Sequence, residues 1–184
     1  MRKDFGRIII LINVLFAVII VVLIAADQVT KYIMLSWLKP IETFELIPGF
    51  LRFHYVENDG AAFSMLRNAR WFFIIVTVVC VGICLVALFN KNARRRFPAL
   101  RSPFLKAAII LIIAGGVGNL IDRLLRGVVI DFIEPTFVNF AVFNFADILV
   151  TCGAAIIIIY LVADIVFDFT KKRREIREYK NRRR

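Results

Sequence analysis

Residues 8–26 read IIILINVLFAVIIVVLIAA, a 19-residue run without a charge. A helix rises about 1.5 Å per residue, so a run of this length crosses a hydrocarbon core of about 30 Å. Three further runs repeat the pattern. Residues 71–89 carry no charge, residues 104–121 carry only Lys106 near their start, and residues 148–167 are interrupted only by Asp164. The chain is therefore expected to be an integral membrane protein, mainly α, with four transmembrane helices in one membrane domain over residues 1–184. Arg2, Lys3 and Arg7 give the first run the basic start of a secretory leader. Its length exceeds the about 7–15 residues of a leader's apolar core, so it reads as a retained helix.

Composition agrees. Sixty per cent of the residues are apolar and the mean hydropathy is +0.78, against about 45–50% in soluble domains. With 18 Phe, intrinsic disorder is excluded too. The net charge of +11 is unevenly spread. Residues 1–7 hold three Lys and Arg, 90–106 hold six without an acid, and 168–184 hold nine, whereas 27–70 hold five and 122–147 hold two, mixed with acids. Basic segments stay cytoplasmic. Both termini, the 90–106 connection and the tail 168–184 are thus expected inside, with loops 27–70 and 122–147 outside. Topology and attraction to anionic lipid account for the basic tail, so no nucleic-acid partner is expected. Cys80, Cys84 and Cys152 are odd in number and lie in apolar runs, which argues for small core residues rather than disulfides or zinc ligands.

The outer stretches carry their own signals. Gly49–Val56 is rich in aromatic and β-branched residues and reads as a strand. Asn58-Asp59-Gly60 follows as a turn, and Ala61–Leu66 is expected as a short helix. A small sheet on the outer membrane face is the natural packing. The stretch 127–147 holds Phe132, Phe137, Phe140, Phe143 and Phe145 but few charges. It reads as an aromatic loop in the membrane interface, with Trp37, Trp71, Phe72 and Phe73 joining the belt.

No phosphate loop or metal-ligand cluster occurs, and no metal or cofactor is expected. His54 is the only histidine, which disfavours His-based triads, and Ser64 lacks the setting of a serine nucleophile. The polar residues instead collect at one depth. Asp27 ends span 1; Asn119, Asp122 and Arg123 end span 3; Asp131 lies in the aromatic loop; Asn144 and Asp147 open span 4. Asn119, Asp122 and Arg123 are spaced i, i+3, i+4 and share a helix face. Gly115 and Gly118 allow a second helix to approach there. Asp27 and Lys31, at i and i+4, read as a supporting pair. Asp131 and Asp147 can meet at the mouth of the bundle, with Asp147 favoured by the dipole at the start of span 4. Asp164, 17 residues further on, lies about 25 Å away and belongs to the inner side.

Two aspartates that meet in a half-dry site oppose each other's ionisation, so one keeps its proton. The ionised member takes a proton from water, and the protonated one donates to a carbonyl oxygen and later to a leaving amine. That is peptide hydrolysis. A structural network, with each Asp paired to Arg123, Arg126 or Lys31, and a proton-relay transporter are the alternatives. The inner halves of spans 1–3 carry few polar groups, which disfavours the relay.

Five segments in order carry a resemblance: Asp27-Gln28-Val29-Thr30-Lys31, Asn58-Asp59-Gly60-Ala61-Ala62-Phe63, Gly115–Arg123, Val129-Ile130-Asp131-Phe132 and Phe143-Asn144-Phe145-Ala146-Asp147. The chain resembles the bacterial lipoprotein signal peptidases, or signal peptidase II, over about residues 8–167. The resemblance implies a four-helix bundle with a small outer β-cradle in the bacterial cytoplasmic membrane, its active site at the outer face. It implies an aspartic endopeptidase that cuts prolipoproteins on the amino side of a cysteine already bearing diacylglycerol. Asp131 and Asp147 match the catalytic pair. Asn58, Gly60, Asn119, Asp122, Arg123 and Asn144 match residues that line or support the site, and Asp27 and Lys31 match its support near span 1. Lipid-modified prolipoproteins and membrane lipids are the expected partners, and the chain is expected to act as a monomer.

Overall fold

The computed structural model describes residues 2–60 and 69–182. The expected short helix at 61–66 lies outside them. Five α-helices and three strands follow in the order α1 (Arg2–Trp37), β1 (Thr43–Ile47), β2 (Leu51–Asn58), α2 (Arg70–Phe89), α3 (Lys91–Arg96), α4 (Pro103–Leu125), β3 (Val129–Pro135) and α5 (Phe145–Arg182). Four of the helices are long and apolar enough to cross a membrane: Arg7–Trp37, Arg70–Phe89, Pro103–Leu125 and Phe145–Tyr179. They outrun the apolar runs. The first continues ten residues past Asp27 to Trp37, and the last runs on through the basic segment.

Helix α4 is the centre of the bundle and packs against α1, α2 and α5. Ile109, Ile110 and Ile113 join Ile20 and Leu88 in a buried apolar cluster. Ile10, Leu11, Val79 and Ile159 remain exposed, the arrangement expected where the solvent is lipid. Small residues set the α4–α5 contact. A Cβ on Gly115 would run into the Ala146 carbonyl oxygen and Val150, and one on Gly153 would lie 2.8 Å from the Ala108 carbonyl oxygen. Backbones this close gain packing that bulkier side chains would forbid.

The three strands form one antiparallel sheet in the order β1-β2-β3. Strand β2 covers most of the expected 49–56 strand and ends two residues later than expected, at Asn58. The stretch 127–147 departs from its reading as an aromatic loop. Its first part is strand β3, with Val129 through Phe132 buried. Asp131 therefore sits on a strand opposite Val56, not on a flexible connection. The remainder folds back on that strand: the backbone N–H groups of Phe132 and Ile133 donate to the Phe143 carbonyl at 3.0 and 2.8 Å. This return delivers the chain to the start of α5. The sheet thereby meets the ends of α4 and α5, where the polar residues gather.

Candidate active site

The foundation of the site is a buried ion network. Lys31 on α1 lies 3.0 Å from Asp27, one turn before it, and 3.0 Å from Asp122 on α4, and all three side chains are 0% exposed. Arg126, four residues along α4, also pairs with Asp122. Asp122 Oδ2 further accepts the Ile130 N–H at 3.3 Å. Asp27 Oδ1 accepts the Ala146 N–H at the start of α5 at 3.0 Å, and its Oδ2 accepts Gln28 Nε2 at 3.1 Å. Charges taken this far from water persist only when paired and hydrogen-bonded. These are, and in meeting that need they tie α1, α4, β3 and α5 to one another.

Two asparagines, Asn119 and Asn144, connect this network to the two aspartates, and a third, Asn58, holds Asp131 from the sheet. Asn119 Oδ1 accepts Lys31 Nζ at 2.8 Å, and its Nδ2 donates to Asp147 Oδ1 at 2.7 Å. Asn144 Nδ2 donates to Asp131 Oδ1 at 2.6 Å and to Asn119 Oδ1 at 3.1 Å. Asn144 and Asp147 also cap one another: the Asn144 N–H donates to Asp147 Oδ2 at 3.1 Å, and the Asp147 N–H to Asn144 Oδ1 at 3.0 Å. Asn58, at the end of β2, donates Nδ2 to Asp131 Oδ2 at 2.8 Å, and its Oδ1 accepts the Gly60 N–H at 2.9 Å.

Asp131 and Asp147 line one cavity of about 590 Å³, together with Asn58, Gly60, Asn119 and Arg123. Phe140, Val142, Phe143, Ile148 and Cys152 supply its apolar wall. Asp131 is only 2% exposed. Burial, and then the neighbouring charge of Asp147, push its carboxyl from the ordinary 3.8 up to about 7, against the hydrogen bonds from Asn58 and Asn144. A carboxyl so placed keeps a proton at neutral pH for part of the time, as an acid needs to.

The expected site residues are thus brought together, with one division. Asp122 and Arg123 part company: Asp122 turns into the buried network, whereas Arg123 faces the cavity. Arg123 Nη2 donates to the Gly60 carbonyl at 3.3 Å, and its guanidinium lies 5.0 Å from the Phe73 ring centre. Asp164 is exposed and plays no part. Two more residues belong to the frame: Gln28, which the sequence reading did not single out, and Arg126, which it named as a candidate Asp partner. Gln28 bridges Asp27 and the Gly118 carbonyl at 3.1 Å each, and Arg126 clamps Asp122, a pairing its i+4 spacing announced. His54 is taken up elsewhere. It contacts Glu134 at 2.8 Å, and Arg52 holds the same carboxyl at 2.6 and 2.9 Å. Those partners keep Glu134 below the usual carboxylate range, the Arg52 bond contributing most.

Four membrane-length helices, with two carboxylates in one cavity where the bundle meets a small sheet, define a multi-pass membrane protein built like an aspartic peptidase. Known proteins share the pattern. The signal peptidase (SPase) II family matches residues 19–163. The lipoprotein signal peptidase of Streptococcus pyogenes serotype M5 (strain Manfredo) is 39% identical over 147 residues, 80% of this chain and 92% of that protein. That of serotype M3 (strain ATCC BAA-595 / MGAS315) is 38% identical over the same shares. Two solved bacterial membrane enzyme structures, obtained by the in meso method at 2.3 and 1.9 Å resolution, have TM-scores of 0.72 and 0.70 and identities of 39% and 36%. They cover 82% and 81% of this chain and 88% and 93% of their own. The chain belongs to the signal peptidase II family, a family of aspartic peptidases.

Proposed function

We propose that this protein removes signal peptides from prolipoproteins by cutting on the amino side of a cysteine that carries diacylglycerol, with Asp131 and Asp147 as the catalytic pair. The observation that carries this reading is their shared cavity, polar on the asparagine side and apolar along α5 and the Phe140–Phe143 return. A lipidated cysteine keeps its acyl chains in the bilayer and brings the scissile bond to the interface, which suits a cavity of that mixed character. The site faces the outer side of the bacterial cytoplasmic membrane, as the Lys and Arg distribution favours.

Asp147 is the ionised member. It stands in the first turn of α5, where the helix dipole favours negative charge, whereas the burial of Asp131 favours its protonated form. It takes a proton from a water molecule as the water oxygen bonds to the peptide carbon. Asp131, protonated, donates to the carbonyl oxygen, which becomes the hydroxyl of a tetrahedral intermediate. The carbon–nitrogen bond then breaks, the proton held by Asp147 passes to the departing cysteine nitrogen, and the hydroxyl proton returns to Asp131. The products are a signal peptide ending in a carboxyl group and a free amine on the lipidated cysteine. Arg123 contributes positive charge beside both carboxylates and steadies the Gly60 backbone. Lipid-modified prolipoproteins are the substrates, and one copy holds all the residues this scheme uses.

The test is incubation of the purified protein with a diacylglyceryl-modified precursor peptide, read by product mass. Cleavage before the lipidated cysteine is expected. Asp131→Asn and Asp147→Asn should each abolish it while the protein inserts normally, and the double variant should be no worse than either single one. Substantial turnover by either single variant would remove this pair from the mechanism.

A further inference from the structure

The ammonium of Lys31 has three donors and no acceptor. An asparagine amide beside it must present oxygen, and Asn119 does, at 2.8 Å. The Nδ2 of Asn119 is then left to face Asp147 Oδ1, at 2.7 Å. The other two amides are fixed by the same logic. The Gly60 N–H holds Asn58 Oδ1 and the Asp147 N–H holds Asn144 Oδ1, so both turn their Nδ2 groups to Asp131. Two of the three locks are local backbone groups. The third is a charged side chain from another helix, 88 residues away in sequence.

We infer that Lys31 is a positioning residue that holds Asn119 as a hydrogen-bond donor to Asp147 and thereby keeps Asp147 in its ionised, proton-accepting form. The inference rests on the catalytic reading above and adds a task for Lys31 that charge pairing does not require. Asp27 and Asp122 would be as well neutralised by a cation that left Asn119 free to turn. Without Lys31 the Asn119 oxygen keeps only the longer bond from Asn144 Nδ2, at 3.1 Å, and the amide is freer to rotate by a half-turn and set its oxygen against Asp147, which penalises the carboxylate and favours its protonated form. The groups that face Asp147 from the surrounding elements are Asp131 on β3 and Arg123 and Asn119 on α4. Asp27 and Lys31 on α1 reach it through Ala146 and Asn119.

Rate against pH separates this role from a structural one. In Asp27→Asn/Lys31→Met, one buried cation and one buried anion are removed together, so the network stays balanced. The acidic limb of the rate–pH profile should move to higher pH, so that activity falls more on the acidic side of the wild-type optimum than at the optimum itself. Asn119→Ala keeps both ion pairs of Lys31 while removing the donor to Asp147, together with the oxygen that accepts Lys31 and Asn144, and it should move the same limb in the same direction. Adding Asn119→Ala to the paired variant should move it no further, because both act on one contact. A limb that stays in place in Asn119→Ala would overturn the inference however the Lys31 variants fold. So would a loss of equal factor at every pH in the folded paired variant, or additive shifts in the triple variant. Failure of the wild-type protein to cut the lipidated precursor would sink the catalytic reading itself. A wild type that cuts, with an unmoved limb in the variants, would sink only the role of Lys31.

Discussion

Replacing Asp131 by Asn should destroy activity and yet stabilise the protein above neutral pH. The wild-type carboxyl is displaced from 3.8 to about 7 by burial and by Asp147. The folded protein therefore holds this proton more tightly than the unfolded chain does. Between about pH 4 and 7 it binds more protons than the unfolded chain, so stability falls as pH rises through that window. At about 1.4 kcal/mol per pH unit, the whole displacement amounts to about 4 kcal/mol above pH 7. An asparagine does not ionise and escapes this loss. It brings a smaller, pH-independent one: both oxygens of Asp131 face amide donors, and Asn58 is held in place by Gly60. One donor–donor contact results, costing about 1–3 kcal/mol. Asp131→Asn should thus be less stable than wild type at pH 4 and more stable at pH 8, the curves crossing between about pH 4.5 and 6. Unfolding of both proteins in the same detergent across this range measures the gap directly. A gap that stays constant with pH, or that widens in favour of wild type as pH rises, would refute the argument.

Three more outcomes follow from the frame. Lys31→Met alone, unlike the charge-balanced pair, should lose about 3–5 kcal/mol of stability in unfolding assays, because it strands the buried Asp27 without a cation and leaves Asp122 only Arg126. Arg123→Ala should change stability by only about 1 kcal/mol, since Arg123 has a long bond to Gly60 and a ring contact with Phe73 rather than a carboxylate partner. Its turnover should nevertheless collapse, and Arg123→Lys should restore little of it. In a protein stripped of its native cysteines, Ala93→Cys should resist an impermeant thiol reagent in intact cells; its labelling would reverse the orientation.

The spans were legible because lipid-facing helices need apolar residues all round, and residues 8–26 and 71–89 supply them without a charge. Asp27 and Lys31 were legible as a pair because i and i+4 meet on any helix. Strand β3 was not. Its partner β2 lies some 70 residues earlier, and the Phe-rich segment after Pro135 hid a seven-residue strand behind the look of an interfacial loop. Strand β1, five residues that are all exposed, alternates only from Thr43 to Leu46, too short a stretch to stand out. The partition of Asp122 from Arg123 was hidden for another reason. Neighbouring helical positions point about 100° apart, and which faced α1 and which faced the cavity depended on where α1 packs. Orientation of the asparagine amides lies beyond any spacing rule, since it follows from what each amide oxygen meets.

Helix α5 runs without a break from Asp147 to the basic segment beginning at Lys171, 24 residues on, or about 36 Å. It is a ruler of fixed length. One end is anchored among the headgroups that attract Lys and Arg, and the other carries a carboxylate of the proposed dyad. The acyl chains of a lipidated substrate take their height from the opposite leaflet instead. The two references coincide only in a bilayer of matching thickness. Tilting α5 by about 20° recovers only about 2 Å, so lipids of longer or shorter chain length should tune the rate of cleavage without touching a single residue of the site.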